Sequence, residues 1–420
     1  MKTIINQALF SFLMLAGLTL FGQNRNLDNF RSPDKNGINV FETTKDSVST
    51  FNGVKVRIGG SSTLQLQALD HENSGAVELK EIGTNFNLAT ANLDLDVPLY
   101  DGVRMHLRTY LSSRHHPEPY VKGGYLQIDK LNFISEGFLE EFMNYATLKI
   151  GHMENNYGDG HFRRSDNSHT IYNPFVGNLI MDAFTTEVGA ELYYQRNGFL
   201  GMIGFTNGKL NQAVDNPDTG GASFIAKLGY DSQIDEDLRL RLTGSIYNTG
   251  AVRRSYLYSA DRAGARYYLV LEDSDASAIG NFRSGRYNPS LNNEITAVML
   301  NPFVKYKGLE FFGTVEVAKG KANSETDERT AKQFAGEVIY RFGKNEKFYL
   351  GGRYNKVDSE DISGDDIEIS RVQLAAGWFM TDNILAKFEY VSQKHDGYDT
   401  GSIFHDGKFD GFMIETVISF

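Results

Sequence analysis

Arg163 and Arg164 stand side by side in the stretch Tyr157-Gly158-Asp159-Gly160-His161-Phe162-Arg163-Arg164-Ser165-Asp166-Asn167. Each guanidinium presents a planar fork of donors that grips carboxylate or phosphate oxygens. On a loop folded into a channel, His161, Arg163, Arg164 and Asp166 would form a charged constriction. On a surface loop the same arginines would pair with Asp166 and nearby carboxylates. A second set of charges lies in segments of alternating polarity. Its basic members are Arg104, Arg108, Arg239, Arg241, Arg353, Arg371 and Lys387, together with Arg57, Lys149 and Lys227. Its acidic members are Asp94, Asp96, Glu187, Glu191 and Glu389, together with Glu310, Glu316, Glu337 and Glu415. Both signs are present, which suits a transverse field across a polar passage and equally suits solvated wall charges. Asp96 and Arg104 should be neighbours across a short turn, whereas Arg353 and Arg371 are expected on adjacent strands without an immediate partner.

No constellation for covalent or acid–base catalysis emerges. His115, His116, His152, His161, His169, His395 and His405 are scattered, and neither HExxH nor GxSxG occurs. Asp396, Asp399, Asp406 and Asp410 lack the ligand order of a calcium-binding EF-hand loop. Ile58-Gly59-Gly60-Ser61-Ser62 and Gly220-Gly221-Ala222-Ser223 open no helix and read as strand ends, not phosphate cradles. The expectation is a protein that is not an enzyme, with no metal and no cofactor.

The elements that position these charges are strands. Sixteen alternating segments run over 54–69, 84–98, 102–114, 121–134, 144–153, 184–196, 199–208, 221–231, 237–249, 291–306, 309–319, 330–343, 347–358, 368–380, 384–394 and 410–420. Leu238, Leu240, Leu242 and Ile246 oppose Arg239, Arg241, Thr243 and Ser245; Val372, Leu374, Ala376, Trp378 and Met380 oppose Arg371, Gln373, Ala375 and Gly377. A charge on a lipid-facing wall costs roughly 2–4 kcal/mol at mid-depth, so the apolar faces belong outside and the charges line a lumen. Connections alternate in length. Tight ones fall at Tyr100-Asp101, Asn197-Gly198, Lys307-Gly308, Lys344-Asn345 and Asp382-Asn383. Long ones fall at 154–183, 209–220, 250–290, 359–367 and 395–409. Tyr100, Tyr194, Phe199, Tyr230, Tyr306, Phe311, Tyr340, Phe342, Phe348 and Phe420 crowd the short-turn end, as an interfacial girdle would. The reading is all-β: a 16-stranded antiparallel transmembrane β-barrel of the outer-membrane porin type, over 54–420.

Composition agrees. The chain is 41% hydrophobic yet polar on average, with 22 Tyr, 29 Phe, 42 Gly, 8 Pro and no Cys. The net charge of -11 argues against nucleic acid. Lys2 and the apolar run Ala8 to Phe21 read as a signal peptide over 1–22, and 23–53 as a periplasmic N-terminal segment. The last strand alternates Phe412, Ile414, Thr416, Ile418 and Phe420 against Met413, Glu415, Val417 and Ser419. It resembles the closing strand of Gram-negative outer-membrane barrels, whose terminal Phe, here Phe420, is read by the barrel-assembly machinery. A soluble sandwich alternates too, but charged inner faces would leave it a poor core.

The signal, the sixteen strands, the arginine-bearing loop after the fifth strand, the segment Thr381-Asp382-Asn383-Ile384-Leu385-Ala386-Lys387-Phe388-Glu389-Tyr390 and Phe420 together resemble the phosphate-selective porin O and P family, and within it the Bacteroidota-type outer-membrane porins. The resemblance implies a channel in the outer-membrane lipid, a homotrimer, and passage of anions through an arginine-rich constriction for which Arg163 and Arg164 are the candidates. The mixed lumen favours passive diffusion of small polar or charged solutes. Selective passage of anions such as phosphate, or of oligosaccharides stacked on Tyr193, Tyr247 and Tyr349, is the second reading. Surface binding or adhesion through the loop 250–290, with Arg253, Arg254, Tyr256, Tyr258, Tyr267 and Tyr268, is the third.

Overall fold

A computed structural model describes residues 27–43, 45, 49–111, 119–208, 221–250, 252, 254–259 and 266–420. The signal peptide read over 1–22, and His115, His116, Gly220 and Arg253, lie outside the described residues. Sixteen strands follow one another: β1 (Arg57–Glu72), β2 (Asn85–Tyr100), β3 (Val103–Leu111), β4 (Tyr120–Ile128), β5 (Ala146–Glu154), β6 (Thr186–Arg196), β7 (Phe199–Thr206), β8 (Ser223–Gln233), β9 (Leu238–Thr249), β10 (Glu294–Tyr306), β11 (Leu309–Lys321), β12 (Arg329–Phe342), β13 (Phe348–Glu360), β14 (Asp366–Thr381), β15 (Ile384–Asp396) and β16 (Lys408–Ser419). Each pairs antiparallel with its neighbours in sequence, and β1 pairs β16, which closes the barrel. Closure runs from Ser61 opposite Ser419 to Glu72 opposite Lys408. It extends to the last residue, where Gly60 and Phe420 exchange two main-chain bonds of 3.0 Å. A closed sheet has no edge and leaves no ladder donor or acceptor facing lipid.

The period-2 pattern dictates the two faces. Leu242, Val298, Val338, Leu350, Leu374, Trp378, Phe388 and Ile414 are exposed on the outer wall, and the ten aromatics of the short-turn end are all exposed there as well. Tyr340, Phe342, Phe348 and Trp378 stack in a row with centroid spacings of 5.9, 5.9 and 6.3 Å. An apolar belt of this extent is what the outer wall of a membrane barrel requires. No helix among the described residues is long and apolar enough to cross a membrane. The spanning elements are the strands.

Two departures from the sequence reading matter for the lumen. β4 ends at Ile128 and is followed by a connection that holds one short helix, α1 (Glu140–Met143), where a strand to 134 was expected. Residues 27–43, part of the N-terminal segment read over 23–53, pack against the barrel. Asn29, Asn39 and Phe41 are buried against wall residues, and Lys35 donates its amide to Asp382 O at 2.8 Å. That places 27–43 in the short-turn mouth.

Candidate functional site

Sixteen strands enclose a lumen too wide for wall side chains to fill. Among the described residues, three chain segments matter most for filling it. The first is the loop after β5 (155–185). Gly158 and Asp159 donate their amides to Ser245 Oγ and Asn301 Oδ1, both at 2.9 Å. Gly158 has φ +67, and a Cβ there would collide with Met299, so only glycine lets the chain pass this close to the wall. After 3-10 turns at Gly160–Arg163 and Thr170–Tyr172, the loop crosses to the opposite wall. There Val176 and Gly177 donate to Glu389 (2.8 and 3.3 Å), Ile180 to Asn355 (2.7 Å) and Met181 to Gln333 (2.9 Å). These wall side chains satisfy the backbone of a buried loop that has no strand partner.

The loop's own charges are consumed in holding it. His161 lies 2.6 Å from Glu154 and 2.9 Å from Asn156 Oδ1. Arg163 donates to Glu337 at 3.3 Å and also to Asn39. Arg164 grips Asp182 at 3.0 Å and reaches Asp166 at 3.2 Å; Asp166 in turn lies 3.2 Å from Lys122. Burial alone would raise the Asp182 carboxyl, but Arg164 and Arg286 hold it below the usual carboxylate range. His161, Arg163, Arg164 and Asp166 thus all sit inside the barrel and are all buried.

The second segment comprises the described residues of the loop after β9 (252, 254–259 and 266–293). It lies on the first: Arg286 meets Asp182 at 2.6 Å and Tyr287 donates its amide to Ile180 O at 2.9 Å. Tyr258 donates to Glu316 (2.6 Å) and Tyr267 to Glu389 (2.7 Å), both rings being buried. Arg266 pairs with Glu415. Tyr258 and Tyr267 therefore belong to no contact surface, since an unmet tyrosine hydroxyl and an unmet luminal carboxylate each find a partner when these residues turn inward; Arg254 is exposed, and Tyr256 and Tyr268 are half-buried. The third segment is 27–43, whose Phe41 packs on Phe162 and Phe303 at 5.7 and 5.4 Å.

All twelve pore-lining candidates face inward, in two different roles. On the wall from β9 to β16 they clamp the inserted segments. Lys387 donates to the carbonyls of Thr170, Asn173 and Phe175, each at 3.0 Å, and pairs with Glu415 at 2.8 Å. Arg371 donates to Asn178 O (2.7 Å) and Gln393 (2.6 Å). Arg241 reaches Asp159 and Glu42, and Arg239 is bidentate on Asp231. Arg353 donates to Glu337 at 2.8 Å, a partner the sequence reading denied it. Glu337 lies directly opposite Arg353 in the β12–β13 pair, whose connection spans 343–347. On β6, Glu187 accepts from Tyr247 (2.9 Å) and Glu191 from the Asn156 amide (2.9 Å). Tyr349 donates to Pro174 O at 2.9 Å, so Tyr247 and Tyr349 are structural rings, not free stacking surfaces.

The wall from β1 to β5 is different. Arg108 is bidentate on Asp94 (2.8 Å), and Asp96 collects Arg57 (3.3 Å), Arg104 (3.3 Å) and His106 (2.8 Å). The expected Asp96–Arg104 neighbourhood is present. Lys149 makes no ion pair among the described residues; its ammonium lies 4.8 Å from the Tyr193 ring. These groups border a cavity of about 180 Å³, and a second of about 270 Å³ lies toward the short turns. Arg57 and Arg104 line both cavities, and Phe30 of the N-terminal segment caps them at 4.8 and 5.1 Å. Arg163 and Arg164 border only a recess of about 20 Å³. Asn39, Glu42, Lys122, Asp159 and Asp182 escaped the sequence reading. All but Lys122 lie in irregular segments, where no periodicity reports the direction of a side chain.

No family model and no curated protein matches the chain. Solved structures do. An anion-selective porin from Comamonas acidovorans superposes with a TM-score of 0.57 at 11% identity, over 87% of this chain and 100% of that one. OmpT, an outer membrane protein of Vibrio cholerae in its trimer form, gives 0.54 at 12% identity over 88% and 100%. The outer membrane channel DcaP of Acinetobacter baumannii gives 0.53 at 11% identity over 88% and 98%. At these identities the likeness is one of fold.

Proposed function

We propose that the chain is an outer-membrane porin through which small polar or charged solutes diffuse passively. The observation that carries this reading is the closed barrel with an apolar belt outside and a charged lumen inside, in which an inserted loop leaves a polar cavity along β1 to β5. In this reading 1–22 is a signal peptide, Phe420 presents the closing strand to the barrel-assembly machinery, and three copies associate. The constriction is formed jointly by the loop after β5 and by residues 27–43. Arg163 and Arg164 hold that constriction in place, while Arg57, Arg104, Arg108 and Lys149 meet the solute.

The basic side chains that border the cavity of about 180 Å³ (Arg31, Arg57, Arg104, Arg108, Lys122 and Lys149) outnumber the acidic ones (Glu42, Asp94, Asp96 and Glu154). This favours an anion preference as the second reading and keeps phosphate, the solute implied by the family resemblance, among the candidates. Single-channel conductance in a planar bilayer, with reversal potential in a salt gradient and phosphate added, tests both. Large steps with weak ion preference support the general porin, and block by phosphate supports the selective one. The absence of any current refutes both.

A further inference from the structure

Residues 27–43 join no strand; among the described residues their one main-chain bond to the barrel is Lys35 N to Asp382 O. Asn39 bonds Glu310 and Arg163, and Phe30 lies over Arg57 and Arg104; beside these contacts the segment is seated in the lumen by a two-residue plug, Phe41-Glu42. The Phe41 ring fills a pocket of Phe162, Phe303 and Phe312, with the Arg241 guanidinium 4.2 Å from its centroid. The Glu42 carboxylate accepts from Lys227 at 3.1 Å, Asn156 at 3.0 Å and Arg241 at 2.6 Å. All three donors are at least nine-tenths buried.

The charge count of this seat is informative. Lys227, Arg239 and Arg241 face Asp159 and Asp231. Three cations against two carboxylates leave one positive charge, which among the described residues Glu42 neutralises. A buried cation pair without its anion is costly, so the seat requires a carboxylate whether or not Glu42 supplies it. Burial opposes ionisation of Glu42, and Lys227 and Arg241 overcome it and hold the group well below the usual carboxylate range.

We propose that Lys227, Arg241 and Asn156, with the adjoining Phe303 and Phe312 pocket, form a binding site for a solute carboxylate attached to an apolar group, and that Phe41-Glu42 occupies it in the resting chain. A solute of that class and the N-terminal segment compete for one seat, so the solute displaces the plug that narrows its own route. The inference builds on the channel reading, but its test needs no current.

The full chain in detergent is digested briefly with trypsin, with or without millimolar N-acetyl-Phe-Glu-amide, and cleavage after Arg31 and Lys35 is followed by mass. Cleavage is expected to rise at least tenfold with this peptide and to stay unchanged with N-acetyl-Phe-Gln-amide. In the full chain carrying Glu42→Gln, calorimetry should show the acidic peptide binding at least tenfold tighter than to the wild type. Adding Lys227→Met should abolish that binding. Equal acceleration by both peptides, or binding that survives Lys227→Met, overturns the proposal. So does absence of acceleration in the wild type combined with absence of binding to Glu42→Gln. If Glu42→Gln does not assemble, the wild-type digestion decides alone. Peptide binding in a chain that conducts no ions would overturn the channel reading and leave this site standing.

Discussion

Lys387→Met should release the inserted loop from the far wall without opening the barrel. The Lys387 ammonium donates to three loop carbonyls at 3.0 Å and pairs with Glu415 at 2.8 Å. Methionine matches the stem in volume and removes every donor. Breaking a buried charged contact by deleting one partner costs roughly 3–5 kcal/mol. Glu415 keeps Arg266 and Gln65, which argues for the lower end of that range. The penalty falls on the loop, because the β14–β15–β16 ladder uses main-chain groups that the substitution does not touch. At 1.4 kcal/mol per tenfold, about 3 kcal/mol raises the local opening equilibrium by roughly two orders of magnitude. Hydrogen exchange at the amides of Val176, Gly177, Ile180 and Met181 reads that opening, since each is protected by a wall side chain. Exchange should accelerate about a hundredfold at Val176 and Gly177, with strand amides unchanged. A folded variant whose loop exchange moves less than threefold would refute the anchoring role.

Lys149→Gln removes a cation that makes no ion pair among the described residues. It should lower the anion-to-cation permeability ratio by about twofold, read from the reversal potential in a salt gradient, with the fold unaffected. Gly377→Val places carbon where the Tyr349 ring lies. Displacing a ring that is buried and bonded to Pro174 O should cost roughly 1–3 kcal/mol, seen as a lower denaturant midpoint. For pH, Asp182 and Asp159 both have folded values below the usual carboxylate range; in each case burial is outweighed by neighbouring cations, Arg164 and Arg286 for the first and Lys227 and Arg241 for the second. The stability they contribute is fully present above their unfolded value, about pH 4, and is lost as pH falls through the lower folded values. Loop exchange, corrected for its intrinsic pH dependence, should hold steady from pH 7 to about 4 and rise below; loosening already at pH 6 would contradict this.

The wall was legible because lipid enforces it. Each strand must keep charge off one face, so the period-2 pattern in β9 and β14 sorted Arg239, Arg241 and Arg371 inward without any knowledge of the sheet. The loop after β5 was legible as a lumen element from its place after the fifth strand, which the family resemblance marks, and from its paired arginines. The other two inserted segments were not. In 27–43 and in the loop after β9 there is no repeat to report direction, and the contacts that bury them join distant positions, such as Glu42 with Lys227 and Tyr258 with Glu316. The partner of Arg353, Glu337, follows from the register of the β12–β13 pair, which an alternating pattern by itself leaves open.

An inventory of inward charges cannot separate a wall that meets solute from a wall that holds chain, because both are written with the same residue types. The partners do separate them. From β1 to β3 the pairs are mutual, between neighbouring strands: Arg108 with Asp94, and Arg57, Arg104 and His106 with Asp96. Such pairs settle each other's charge and leave room beside them, which is where the larger cavities lie. From β9 to β16 many partners belong to inserted segments, so there the charges have become mortar. Neutralising Arg371 or Lys387 should therefore change loop exchange before it changes ion selectivity. Neutralising Arg57 or Arg108 should change selectivity while the inserted loops stay seated.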